Sequence, residues 1–178
     1  IIRMEATKMS IQDLLGKLKC KNKLQEELNL PINTEIPIIV IPSVFIGEYE
    51  KTLLNSIIPY ITKMEMQIIL LGNKLADFEK NIKDYSLRKN YNVVSIEFND
   101  TNIRKVFSAS DIFLDISLNI SNVDLIKKAL KYGVIPIIFK ETKDLEIEET
   151  KFRLFNFSTE DLINTIKYTI NKYYYLEK

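Results

Sequence analysis

Five short runs of β-branched and other apolar residues alternate with segments of helical periodicity, and this alternation constrains the fold more than any other feature. The runs are Ile36–Ile41, Met66–Leu71, Asn92–Phe98, Asp111–Ile116 and Val134–Phe139. Continuous apolar runs are typical of strands buried on both faces, whereas the more alternating third run is typical of a strand nearer an edge. The order predicts right-handed β-α-β crossovers and an α/β fold, namely a Rossmann-like open parallel sheet with helices on both faces.

The segments between the runs carry apolar residues at helical spacing. We predict helices at Glu48–Met64, Leu75–Lys89, Asp100–Ser108, Asn122–Lys131 and from a capping-box-like start at Ser158 to about Tyr174. The lead-in, residues 1–30, differs: a helix start at Ser10–Asp13 precedes a second helical segment at Lys21–Leu30. The sequence shows no linker-like stretch or repeat, so we predict one domain over residues 1–178. Because the chain begins with Ile1 rather than Met, we expect a piece of a longer protein.

The composition argues against several kinds of site. The chain has 178 residues, a net charge of +1, one cysteine and no histidine. Without histidine there can be no Ser/His/Asp triad and no imidazole base for Cys20, so we predict no catalytic residues and no metal ligands. The near-neutral charge gives no field that would attract nucleic acid, and no apolar run reaches the ~18 residues of a membrane span. A lone cysteine fits a cytoplasmic location.

The ends of the predicted strands hold the candidate binding residues, because ligands of open parallel sheets lie beyond the carboxyl ends of the strands. The four glycines are far apart, so no Gly-rich phosphate loop is present. Phe98, at one strand end, could stack on a nucleotide base or pack in the core. Lys74 and Lys140 could contact phosphate or remain solvated loop lysines.

Carboxylates and small polar residues follow other strands. Asp115 and Asp144 could bind sugar hydroxyls or serve as caps and turns. A polar loop consisting of Ser117, Asn119, Ser121 and Asn122 could cap the helix that follows it.

Several segments, taken in order, resemble one family. The set covers most of the chain and resembles the C-terminal, nucleotide-sugar-binding lobe of the glycogen and starch synthases. These are two-lobed (GT-B) glycosyltransferases that transfer glucose from ADP-glucose, or from UDP-glucose in some relatives, to an α-glucan. The matching segments are Gly16–Lys17 with Asn22–Pro31 (GK..NK..LQ..LGL), Pro37–Ser43, Gln67–Gly72 (a strand ending LG.G), Phe98–Asp100, Ser110–Leu114 (GADIFLMPS) and Ala129–Ile137 (AL.YG.IPVV).

The resemblance implies where a donor nucleotide sugar would bind. It places Ser43, Gly72 and Phe98 around the donor, with the Tyr132–Gly133 turn in the floor of the site. It implies ADP-glucose or UDP-glucose as a donor substrate and no separate cofactor.

The sequence departs from the family at the positions that contact the donor. Val44 and Tyr49 stand where the resemblance implies an arginine and a lysine that hold the donor pyrophosphate. Ile120 stands where it implies a glutamate that contacts the transferred sugar, and Glu141–Leu145 replaces a Thr-Gly-Gly-Leu loop.

These departures lead to a functional expectation with two alternatives. We expect a divergent lobe without transferase activity of its own, acting as a binding or scaffolding domain in glucan metabolism. Its expected partners are an N-terminal synthase lobe or a catalytic partner, and an α-glucan, with no nucleic acid and no membrane. Its expected location is the cytoplasm, or the plastid stroma in a plant-type starch system. One alternative is a divergent active glycosyltransferase whose N-terminal lobe lies upstream; the other, marked by a different strand order, is an unrelated flavodoxin-like binding module.

Overall fold

Six parallel strands form the centre of the molecule. The computed structural model describes residues 11–73, 77–89, 92–118, 122–139 and 152–173. The strands are β1 (Ile38–Ile41), β2 (Gln67–Gly72), β3 (Val93–Glu97), β4 (Ile112–Asp115), β5 (Ile135–Phe139) and β6 (Arg153–Phe155). All neighbouring strands pair in parallel, for example Ile39 with Ile68 and with Ile112.

The strand order, β3-β2-β1-β4-β5-β6, confirms the predicted open Rossmann-like sheet. The order reverses between β1 and β4, so the loops after these two strands diverge and leave a crevice at the carboxyl edge of the sheet. A flavodoxin-like module has a different order, and this alternative is therefore wrong. The third predicted strand is an edge strand, as its alternating pattern indicated.

In the described part of the chain, six α-helices cover the two faces of the sheet. They are α1 (Ile11–Glu27), α2 (Glu48–Lys63), α3 (Asp77–Lys89), α4 (Asp100–Phe107), α5 (Val123–Lys131) and α6 (Thr159–Tyr173). One buried cluster joins the sheet to α2, α3 and α6, and the other joins it to α1, α4 and α5. Among the described residues, no helix combines the length and apolar character needed to cross a bilayer.

Two elements differ from the prediction. The strand β6 was not predicted, because its three residues include Arg153 and their pattern is too short to stand out. In the described part of the lead-in, Ile11–Glu27 form one continuous helix, α1, rather than two segments. The helix α1 runs without a break through this segment. Its side chains Lys17, Lys21 and Gln25 recur every fourth residue and therefore lie on one face of the helix.

This polar face of α1 is tied to the amino edge of the sheet. Lys21 Nζ lies 2.8 Å from the Asp111 carboxylate, and both side chains are buried. Gln25, which is fully buried, donates to Gln67 Oε1 at 2.9 Å and accepts from the Asn33 N–H. Since buried polar groups are stable only when hydrogen-bonded, these contacts fix α1 on the sheet.

Candidate functional site

The crevice at the carboxyl edge is built from the segments that follow β1, β2, β3 and β4. After β1, the chain makes a short 3₁₀ helix, Ser43–Phe45, and then enters α2 at Gly47. After β4, it passes through Ile116–Leu118 towards α5. Because β1 and β4 are neighbours at the reversal of strand order, these two segments face each other across the crevice.

Two phenylalanines form an aromatic wall of the crevice. Phe45 and Phe98 are half-buried and meet edge to face, with ring centroids 5.0 Å apart. Beside them is a cavity of about 340 Å³. Among the described residues, its lining includes Phe45 and Phe98 and, from the start of the α5 region, Asn122, Val123, Asp124 and Leu125. The predicted site residue Phe98 is thus at the crevice, where it both packs against the core and faces a cavity.

A buried carboxylate bridges the two loops at the reversal of strand order. The side chain of Glu50, in the first turn of α2, accepts hydrogen bonds from the Gly47 N–H at 3.1 Å and from the Leu118 N–H at 3.1 Å. Only 4% of Glu50 is exposed. The Gly47 and Leu118 amides are therefore paired with an internal carboxylate.

A second buried carboxylate lies beside Gly72. Glu79 Oε1 accepts from the Ser43 hydroxyl and from the Asn73 N–H, each at 3.0 Å. A Cβ atom on Gly72 would collide with both Ser43 Oγ and Glu79 Oε1. The structure brings Ser43 and Gly72 together as predicted, but the space above this glycine is filled by an internal hydrogen bond.

Asp115, at the end of β4, organises the polar loop that follows it. Its carboxylate accepts from the Ser117 N–H at 3.0 Å and from the Asn122 amide at 3.1 Å. Burial raises the pKa of Asp115 above its usual range, and the hydrogen bonds from Ser117 and Asn122 act in the opposite direction. Asn122 is at the start of α5, but its side chain does not cap the helix. The Asp115 carboxylate therefore stabilises a turn, which is one of the two roles predicted for it.

The two positions that resemble the cation positions of the family lie on the rim of the crevice. Val44 is 46% exposed and Tyr49 is 77% exposed. Neither side chain carries a charge or a cationic group, so this rim is apolar and aromatic.

The structure does not bring Tyr132 and Gly133 to this crevice. They end α5 and precede β5, so they lie at the amino edge of a parallel sheet, opposite to the ends where Ser43, Gly72 and Phe98 lie. Gly133 has φ of 73°, the left-handed conformation that commonly ends a helix. Lys17 Nζ donates to the carbonyls of Tyr132 and Gly133 at 3.1 and 3.3 Å. The position of this turn does not support a place in the floor of a donor site.

Several predicted contacts fall outside the described residues. These are Lys74, Lys140, Asp144, Asn119 and Ser121, together with Ile120 and the segment 141–145.

Sequence reasoning missed the two glutamates that shape the crevice, Glu50 and Glu79. Both occur in the first turn of a helix, where acidic residues are common for their effect on the helix dipole. Their hydrogen-bond partners Leu118 and Ser43 are 68 and 36 residues away in the chain. The contact of Glu50 with Gly47 is the local part of a capping box, but no local pattern could have predicted its contact with Leu118 or the contact of Glu79 with Ser43.

Comparison with curated proteins finds relatives over nearly the whole chain. A glycogen synthase of Clostridium kluyveri is 32% identical over 179 residues, and the match covers 93% of this chain and 37% of that protein. A glycogen synthase of Clostridium acetobutylicum is 29% identical over 93% of this chain. The chain thus spans little more than a third of the length of these relatives. No family model matches it.

Comparison with solved structures finds the same fold. The catalytic domain of starch synthase IV from Arabidopsis thaliana, bound to ADP and acarbose, aligns with a TM-score of 0.73 and 18% identity. The alignment covers 97% of this chain and 38% of that one. Together with the strand order and the ordered sequence segments, these matches give one conclusion: the chain is a divergent member of the glycogen and starch synthase family of GT-B glycosyltransferases and corresponds to its C-terminal lobe.

Proposed function

We propose that this lobe has lost donor binding and serves as a non-catalytic binding or scaffolding domain in glucan metabolism. The observation that carries the proposal is the Glu50 carboxylate at the reversal of strand order. It holds the Gly47 and Leu118 amides, and it is almost fully buried. A pyrophosphate placed at this end of the crevice would meet a carboxylate instead of donor groups.

The uncharged residues Val44 and Tyr49 also weaken the case for donor binding. Where the resemblance implies an arginine and a lysine, Val44 and Tyr49 offer no charge-assisted hydrogen bond, each of which contributes ~1.5–3 kcal/mol. A donor group that stabilises the transition state contributes ~3–4 kcal/mol. Loss of two such cations would lower the rate of glucosyl transfer by several powers of ten. The Gly47 and Leu118 amides near these positions donate to the Glu50 carboxylate.

The filled space beside Gly72 supports the same proposal. A glycine at a strand end can let a ligand approach the backbone closely. Here the Ser43–Glu79 hydrogen bond occupies that space and brings a second carboxylate to the same edge.

The proposed setting follows from the family. An N-terminal synthase lobe or a separate catalytic partner, and an α-glucan, are the proposed partners, and the cytoplasm is the proposed location. In this proposal the scaffold of the lobe is retained for contacts with the partner, while donor chemistry belongs to another protein.

A second candidate is a divergent active glycosyltransferase, and the cavity beside Phe45 and Phe98 favours it, because an aromatic wall at a strand end can receive a base. One experiment separates the two candidates: glucose incorporation into glucan from labelled ADP-glucose and UDP-glucose by the complete protein that carries this chain. The non-catalytic proposal expects no incorporation above background. Incorporation that disappears in a Phe98→Ala variant, but persists in a variant of the exposed Tyr168, would establish the enzyme instead.

A further inference from the structure

The cavity beside the aromatic wall has the chemistry of a cation site. Two aromatic residues, Phe45 and Phe98, line the cavity, and the exposed acidic residue Asp124 belongs to the same lining. Aromatic rings attract ammonium and guanidinium groups through their quadrupole, and a nearby carboxylate adds an ion pair. Neither component alone would specify a ligand, but the two together select a positive charge on an organic group.

The surroundings of the cavity are also negatively charged. Behind the lining residue Asn122 lies the Asp115 carboxylate, 3.1 Å from the Asn122 amide nitrogen. Across the crevice, the Glu50 carboxylate is bonded to Leu118. Both carboxylates are buried, so water screens their fields less than it screens exposed charges.

Among the described residues none forms an ion pair with Asp124, although Lys127 and Lys128 follow it on α5. Within the described first turns of α2, α4 and α5, the single basic residue is Lys51. Its ammonium group lies 3.2 Å from Glu48 and 5.5 Å from the centre of the Phe78 ring, which belongs to α3. The positive end of the α5 dipole is offset by Asp124 itself, in the first turn of that helix.

We propose that this cavity binds an organic cation, the guanidinium or ammonium group of a basic side chain or a small amine. The cation lies against Phe45 and Phe98 and pairs with Asp124. The inference rests on the proposed loss of donor binding, since the same crevice would otherwise hold an anionic nucleotide. A volume of about 340 Å³ accommodates an arginine-sized group. The exposed Tyr49 and Val44 at the rim provide apolar contact for the molecule that carries the cation.

The test is a titration of the 178-residue chain, followed by NMR, with N-acetyl-arginine amide and with the neutral analogue N-acetyl-citrulline amide. We expect the arginine compound to bind about tenfold more tightly, as an ion pair and a cation–π contact together would give. Asp124→Asn should remove most of this preference. The matched control Asp100→Asn changes an exposed acid in the first turn of α4, outside the cavity lining, and should leave the preference intact.

A Phe98→Leu variant provides an independent check, because it removes ring surface while keeping an apolar side chain. It should weaken the arginine compound more than the citrulline compound. Agmatine, a small dication without the peptide groups, distinguishes the source of the cation. Weaker binding than the arginine amide assigns a protein side chain, binding as tight or tighter assigns a small amine, and either result supports the cation site.

Three results would overturn the inference: no saturable binding of the arginine compound, equal binding of the citrulline compound, or an unchanged preference in Asp124→Asn. ADP-glucose is titrated in parallel. Micromolar binding of ADP-glucose would defeat the proposed function, whereas absence of binding by both ADP-glucose and the arginine compound would defeat only the cation site.

Discussion

At the scale of single residues, the crevice is organised by carboxylates that the fold shields from water. Glu50, Glu79 and Asp115 are each at most 5% exposed, and each accepts two hydrogen bonds. A buried carboxylate is stable only with such partners. The carboxylates therefore hold the loops after β1, β2 and β4 in place.

Substitution of Glu50 tests this role. Glu50→Ala leaves the Gly47 and Leu118 amides without their acceptor, so we expect a loss of about 1–3 kcal/mol in the free energy of unfolding, measured by urea denaturation. Phosphate ions should restore part of the loss, because they can occupy the vacated amides. Glu48→Ala, in the same turn but exposed, is the control and should change stability by less than about 1 kcal/mol. Equal stability of the Glu50 variant and the unaltered chain would contradict the assigned role.

Gly72 allows a second test with a matched pair of substitutions. Gly72→Ala places a methyl group against Ser43 Oγ and Glu79 Oε1, and we expect a loss of about 1–3 kcal/mol in thermal or urea unfolding. Gly16→Ala, in the middle of α1 with open space around it, should instead stabilise the chain by about 0.5–1 kcal/mol. If both alanines had the same effect, the close approach at Gly72 would be refuted.

At the scale of elements, the amino edge of the sheet is the counterpart of the crevice. Here α1 is attached through Lys17, Lys21 and Gln25, whose head groups reach across to β-strand ends and to the Tyr132–Gly133 turn. The lysines between residues 17 and 23 could be interpreted from the sequence as a basic patch or a solvated helix face. In the structure, Lys17 and Lys21 donate hydrogen bonds that attach the helix to the sheet.

The pH dependence of stability tests the attachment of α1. Burial lowers the pKa of Lys17 to about 8, and the nearby Asp111 offsets part of this effect. Between this value and the ordinary lysine pKa of about 10.4, the unfolded chain binds more protons than the folded chain, so Lys17 makes stability rise with pH in that window. Below pH 8 the cost of the buried charge is fully present.

The measurement compares urea unfolding of the unaltered chain and of Lys17→Met at about pH 7 and at about pH 9.5, on either side of the shifted Lys17 pKa. We expect the unaltered chain to gain stability relative to the variant at the higher pH. Lys19→Met, an exposed neighbour, serves as the control and should show no such change. A constant difference between the unaltered chain and Lys17→Met at both pH values would count against a buried, shifted Lys17.

Elements were easier to predict than contacts, for a physical reason. Of the six described strands, four were predictable because continuous apolar runs report burial on both faces, and β3 was predictable because its alternating pattern is typical of an edge strand. The strand β6 was missed because three residues, one of them an arginine, carry too little pattern. The Tyr132–Gly133 turn follows a predicted helix and precedes a predicted parallel strand, and this order alone places it at the amino edge of the sheet. Its assignment to a donor site came from the resemblance.

At the scale of the whole molecule, the chain has the fold of its relatives, with a crevice at the carboxyl edge of the sheet. The strand order and the helices on both faces follow the family, and so does the placement of a crevice where the order reverses. The sequence predicted this frame, and the resemblance indicated which positions had changed. What it could not predict is that Glu50 and Glu79 fill the space, because their partners come from other loops of the chain.

Isothermal titration calorimetry of the 178-residue chain with ADP, ADP-glucose and UDP-glucose tests the central claim, loss of donor binding, most directly. A starch synthase catalytic domain titrated under the same conditions is the positive control. We predict no saturable heat from any of the three nucleotides at millimolar concentration, because carboxylates occupy the crevice and the phosphate-binding cations are absent from the described loops. Micromolar binding of ADP-glucose or UDP-glucose would contradict the account.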